Sequence, residues 1–215
     1  MSEFRRPRTR PLAMLAATCI ALLVSCSSPP PLLNSERIEQ RFGSYGVEVI
    51  RADENIRYSS LHSLENGEPV TRTLAVVEFA DPMPAPLRAA HQQIVSGESI
   101  GATFKSAGWS IDKPLLGYDV LAASPRPERV YELMGLDEPA PLAVHRYRLQ
   151  LLQGDEALEY ATISEIHSPA YLTAEEVREI YGQPSSGPAT TATAVDDLLA
   201  PLLEELSSAT GSAGG

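Results

Sequence analysis

Cysteine is almost missing from this sequence: two thiols, Cys19 and Cys26, occur in 215 residues. So few thiols build neither a disulfide framework nor a thiolate metal cluster. Aromatic residues are scarce at 6%, with Trp109 the single tryptophan. Positive charge is also short, with 17 Lys and Arg against 28 Asp and Glu and a formal net charge of -11. An acidic surface repels phosphate backbones, so nucleic acid is excluded as a partner. No apolar run reaches the roughly 20 residues a membrane-spanning helix needs. No serine sits in a G-x-S-x-G elbow, so a hydrolase triad has no anchor. The histidines at 62, 91, 145 and 167 lack metal spacing such as H-E-x-x-H, and Gly97, Gly101 and Gly108 form no phosphate loop. No metal, nucleotide or other cofactor is expected.

What is present begins at the N-terminus. Arg5, Arg6, Arg8 and Arg10 precede an apolar stretch, Pro11 to Val24, broken only by Thr18 and Cys19. In length and flanks this is a secretory signal peptide. It ends in Leu23-Val24-Ser25-Cys26, which resembles the lipobox of bacterial lipoproteins. That resemblance implies cleavage before Cys26 and acylation of its thiol and new amino terminus. Ser27 at the next position implies sorting to the outer membrane, facing the periplasm. Losing residues 1–25 leaves 13 basic and 27 acidic residues, so the membrane is held through lipid, at about 0.8 kcal/mol per buried CH₂, and not through charge.

Residues 26–34, with Pro29-Pro30-Pro31, read as the lipidated cysteine and a polyproline tether. Residues 183–215 are rich in Pro, Ser, Thr, Gly and Ala and read as a low-complexity, largely disordered tail. Within it, Leu198, Leu199, Leu202, Leu203 and Leu206 recur at helical spacing around Pro201, which reads as a weak, optional helix. The globular part is 35–182, one domain.

That domain carries an internal pseudo-repeat. Ile38 to Val49 aligns with Ile100 to Ile111, with matches at Ile38/Ile100, Phe42/Phe104, Ser44/Ser106 and Gly46/Gly108. Each copy predicts a short helix that ends near a glycine and leads into a strand. Gly67 to Pro82 aligns with Gly154 to Pro169, and both glycines sit in hairpin turns. Helices are predicted at Ala85 to Ile94 and Ala174 to Ile180. The offset grows from 62 to 87, which places an insertion of 25 residues around Lys113 to Asp137, with a helix at Glu128 to Met134. The expected fold is α+β: two helix–strand–hairpin units sharing one antiparallel sheet of about six strands, with helices packed around it.

Three segments, RFGSYGVEV, RYSSLHSLENGEPV and HRYRLQLLQGDEALEYATISEIHSPAYL, follow the order seen in bacterial chorismate pyruvate-lyases. The second half also resembles the effector-binding (UTRA-like) domain of certain bacterial repressors, which shares the lyase fold. The resemblance implies a chorismate lyase-like fold and a site for an aromatic carboxylate, held by arginine and by a glutamate in the last strand. Glu165 stands before Pro169 as the family glutamate does. The arginine positions fall instead on Ser59 or Leu61 in the first hairpin strand and on Glu78 in the second, with Arg72 an imperfect stand-in. Neutral or acidic groups do not replace a guanidinium that grips a carboxylate in two bonds.

Alternation places Glu159, Ala161, Ile163, Glu165 and His167 on one strand face, with Arg146 and Arg148 on the corresponding face of the partner strand. One reading makes this a pocket wall; the other makes it a solvent face with an Arg148–Glu159 pair, the core being Tyr147, Leu149, Leu151, Leu158, Tyr160 and Ile166. The leading functional expectation is a lipid-anchored envelope protein binding a small, aromatic carboxylate without catalysis, through Glu165, Arg72, Arg146 and Arg148. A chorismate-type pyruvate lyase and a non-catalytic envelope protein-interaction module are the alternatives.

Overall fold

A computed structural model of the chain describes residues 32–121, 128–182, 199–201 and 204. Contacts divide the chain after Pro30, and every described residue lies on the C-terminal side of that division. The signal segment, Cys26, the prolines of the tether and most of the 183–215 tail lie outside the described residues. Among the described residues, no helix is long and apolar enough to cross a membrane.

The first unit opens with α1 (Asn34–Phe42). Its N-terminus is capped by Glu36, whose carboxylate accepts from the Leu33 N–H at 2.8 Å. Gly43 ends it at φ 76, a left-handed conformation that a β-carbon would strain. The cap in this copy is therefore Gly43, while Gly46, the glycine aligned with Gly108, begins a strand. Strands β1 (Gly46–Ala52), β2 (Ile56–Glu65) and β3 (Glu68–Phe79) follow as a meander. The β2–β3 turn uses Asn66 at φ 54 and Gly67 at φ 89, the positive pair that matches strand twist. A 3₁₀ turn, Ala85–Leu87, leads into α2 (Arg88–Val95).

The second unit repeats this order. Helix α3 (Ile100–Ser106) precedes β4 (Ser110–Asp112), and β6 (Leu142–Gln153) and β7 (Glu156–His167) form the second long hairpin. Helix α5 (Ala174–Tyr181) closes the domain, capped where Thr173 Oγ1 accepts from the Glu176 N–H. Strand β5 (Leu115–Leu121) and helix α4 (Glu128–Leu133) both fall in the 113–137 insertion. The sheet thus has seven antiparallel strands where about six were expected. The order is β1-β2-β3-β7-β6-β4, with β5 also on β6. The final strands of the two units, β3 and β7, pair at the centre.

Both faces of the sheet are covered, so its central strands are apolar on both sides. On one face Val77, Phe79, Leu149, Leu151, Tyr160 and Ile163 pack against Leu87 and Ile94 below α2 and Phe104 of α3. Further along that face, Ala143 packs with Ile38 of α1 and with Tyr171, Leu172 and Val177 at α5. On the other face Tyr58, Leu74, Val76, Leu142, Val144 and Ile166 pack against Val130 and Met134. Leu199 joins that cluster and is 1% exposed. The leucine expected in an optional helix is thus a core residue.

Two bulges decide which side chains reach which face. Leu149 pairs with Ala161 but Gln150 pairs with Glu159, so Tyr160 is an extra residue in β7. Tyr160 and Ala161 are consequently both buried toward α2, and alternation restarts with the opposite phase. Likewise Leu61 pairs with Thr73 and His62 with Thr71, leaving Arg72 as the extra residue of β3.

Candidate functional site

A cavity of about 590 Å³ of empty space lies between the sheet, the first turn of α1 and the N-terminus of α3. Its walls are mostly aliphatic: Val47, Leu61, Val77, Ile111, Leu149 and Ile163. Leu33, Asn34 and Ser35 close one side, and Ser99, Ile100 and Gly101 face them. An apolar lining with few polar groups is the make-up of small-molecule sites.

One polar end is Glu165, which is 4% exposed. Its Oε1 accepts from the Tyr147 hydroxyl at 2.9 Å and its Oε2 from the Asn34 amide at 3.0 Å. Tyr171 Oη donates to Asn34 Oδ1 at 2.7 Å, which holds the amide in that orientation. Burial pushes the Glu165 carboxyl above its ordinary range, against the opposing pull of Lys113 and these hydrogen bonds. Tyr147 is pushed well up, first by burial and then by the adjacent carboxylate.

Positive charge reaches the cavity from two sides. Arg57 of β2 is 1% exposed. Its Nε donates to Ser59 Oγ at 2.8 Å, and its Nη1 to the carbonyls of Ile94 and Glu98 at 2.7 and 2.9 Å. Among the described residues no carboxylate pairs with it; the titratable groups it senses are the phenols of Tyr160 and Tyr45. Burial lowers its pKa, yet a guanidinium keeps its proton. Lys113, half-buried beyond β4, lies 4.8 Å from the centre of the Tyr147 ring, and burial lowers its pKa against the attraction of Glu165.

Behind Glu165 lies a buried polar network that crosses β3, β6 and β7. His145 Nδ1 and His167 Nε2 are 2.9 Å apart, and His167 Nδ1 meets Thr73 Oγ1 at 2.9 Å. Thr73 Oγ1 also accepts from Asn34 Nδ2 at 3.2 Å. His145 Nε2 stands 3.5 Å from Glu165 Oε2. Burial holds His145 well below its ordinary range, and it holds His167 at about 3.

Of the residues predicted from sequence, Glu165 lines the cavity and the three arginines do not. The bulge at Tyr160 puts Glu165 opposite His145, whereas Arg146 is opposite Ser164 and Arg148 opposite Thr162, both on the other face. Arg146, half-buried, is tied to Glu78 at 2.6 Å, and Arg148, exposed, lies 3.9 Å from Glu159. Arg72 is buried over the Phe42 ring, 3.9 Å from its centre, with Ser63 and Glu65 as partners. Sequence reasoning passed over Arg57 because counting back from the Gly67 turn selected Ser59 and counting forward from Arg57-Tyr58 selected Leu61, its neighbours on the same face. It also missed Lys113, Tyr147 and the His145–His167 contact. A cross-strand register would have found the histidines; their spacing along the chain carries no such signal.

No family model matches the chain, and no curated protein matches it. Among solved structures, the C-terminal domain of the histidine utilization repressor from Pseudomonas syringae pv. tomato str. DC3000 is similar over 68% of this chain and 94% of that one. The identity is 14% and the TM-score 0.29, too low to decide function.

Proposed function

We propose that this protein is a lipid-anchored envelope receptor whose cavity binds a small carboxylate, without catalysis. The observation that carries this reading is Arg57: a buried guanidinium, at the wall of an apolar cavity, with no carboxylate partner among the described residues. A buried charge normally has a partner of opposite sign, and a bound anion supplies it. Lys113 adds a second cation, and Glu165 gives the cavity wall a further polar group for the ligand to meet. The sequence resemblance to carboxylate-binding lyase-like domains agrees with this arrangement, with Arg57 in the role first sought at Ser59, Leu61, Arg72, Arg146 and Arg148.

Thermal unfolding of the full chain with benzoate, 4-hydroxybenzoate and chorismate tests the binding. Ligand at 100 times its dissociation constant should add about 2.7 kcal/mol, or roughly 5–10 °C for a domain of this size. Arg57→Met should erase the shift, and the matching carboxamides should give none. No shift across the panel would overturn the reading. Pyruvate release from chorismate in the same samples would replace it with the lyase alternative. The anchor rests on the lipobox at Cys26: Cys26→Ala protein should leave the membrane pellet, and retention there would refute the lipid attachment.

A further inference from the structure

Glu165 belongs to two groups at once. It lines the cavity, and with His145 and His167 it forms a cluster whose ligand atoms all lie within 4.8 Å of one another. All three side chains are buried. They come together because His145 is the direct cross-strand partner of Glu165, while His167, two residues on along β7, pairs with Ala143 on the same face.

Within this cluster His145 Nε2 is buried and has no hydrogen-bond partner. It is aimed at Glu165 Oε2, 3.5 Å away. Two ligand atoms bound to a tetrahedral ion at about 2.0–2.1 Å are roughly 3.3–3.4 Å apart. The observed separation therefore already suits one shared ion. The other nitrogen of His145, Nδ1, is engaged by His167 Nε2 at 2.9 Å, and His167 is in turn held by Thr73. An imidazole that gives its second N–H to a fixed acceptor is the usual outer support of a metal-bound histidine.

We propose that His145 Nε2 and Glu165 Oε2 are ligands of a divalent transition-metal ion of the zinc class, with His167 as the positioning residue that orients His145. Imidazole and carboxylate together suit zinc, cobalt and nickel better than magnesium or calcium. Glu165 is the cluster residue that lines the cavity, so the cavity is the route by which an ion reaches the cluster. Lys113 and Arg37 are the charges that oppose it. An anion seated in the cavity offsets them, so ion and anion should each tighten the other. The metal site rests on the cluster alone, and the anion reading can fail without it.

Titration of the chelator-treated, dialysed full chain with Co²⁺ tests the site. One equivalent should bind with visible d–d absorption, and Zn²⁺ should displace it. Glu165→Gln and His145→Gln should each remove that spectrum. His167→Gln should weaken binding by about 10–100-fold, the usual effect of losing an outer partner. Arg57→Met, which removes the anion contact, should keep Co²⁺. Absence of a d–d band in the wild type, or a band unchanged in Glu165→Gln, would overturn the site. Should a variant misfold, long-range ¹H–¹⁵N spectra of the wild type with Zn²⁺ decide: the nitrogens of His145 must move, and shifts confined to His62 and His91 refute the proposal.

Discussion

Ala75 is the direct cross-strand neighbour of Glu165, and on its other side it pairs with Ser59. A methyl group therefore sits at the centre of the sheet, between the strand that carries Arg57 and the strand that carries Glu165. Ala75 lines the cavity, and the space above it exists because its side chain is small. Ala75→Leu should fill that space and weaken carboxylate binding by more than tenfold. Stability should change by only about 1 kcal/mol, since the added carbons enter a void and not a packed core. Calorimetric titration together with a denaturant melt measures both; wild-type affinity in this variant would place the ligand elsewhere.

Acid sensitivity follows from the buried histidines. Burial lowers both, so the unfolded chain, with histidine near 6.5, takes up more protons than the folded one. Their contribution to stability is complete above about pH 6.5 and is lost as the pH falls toward 3. Each ring contributes a slope of at most about 1.4 kcal/mol per pH unit. Glu165 acts in the opposite sense: with its pKa raised, its contribution declines as the pH climbs from about 4.5 to the raised value. His167→Gln should therefore flatten the loss of stability below neutral pH. Urea melts in chelating buffer would show it, and an unchanged slope would contradict the assignment.

Gly101 governs how α1 meets α3. A β-carbon there would lie 2.7 Å from Leu33 Cδ1, the tip of a flexible side chain that borders the cavity. Gly101→Ala should displace Leu33 with a stability change below about 1 kcal/mol, because alanine also favours the helix. The expected result is altered ligand association measured by stopped flow; identical rates would mean that Leu33 does not guard the entrance.

Leu199 is buried among Tyr58, Val76, Leu142 and Ile166 although the sequence around it reads as a tail. Leu199→Ala should cost about 2–5 kcal/mol, the range for a buried leucine. A protein shortened to residues 35–182 should lose at least as much, because it lacks Leu199 and also Asn34, whose amide holds Glu165. Equal urea midpoints for the shortened and full chains would refute this.

The repeat in the sequence exposed the order of elements well. Asn66-Gly67 and Gly154 mark their hairpins, and the 25-residue growth in the offset locates β5 and α4. The facing of β7 was not legible, because one extra residue at Tyr160 reverses the alternation that placed Glu165 beside Arg146 and Arg148. Pairing register is decided between strands, so nothing local to β6 or β7 announces it. Arg57 escaped for a related reason: its hydrogen bonds go to backbone carbonyls in the last turn of α2 and just beyond it, which leave no trace in residue type.

The pairing of β3 with β7 makes the centre of the sheet a seam between the two repeat units, and the cavity straddles it. Arg57 comes from the first half of the chain, and Glu165 and Lys113 come from the second. Neither half alone supplies all the groups that line the cavity. A ligand held between them is a staple across the seam, and occupancy should be felt as resistance to prising the halves apart, whether by heat, by denaturant or by a pull on the N-terminal end of α1.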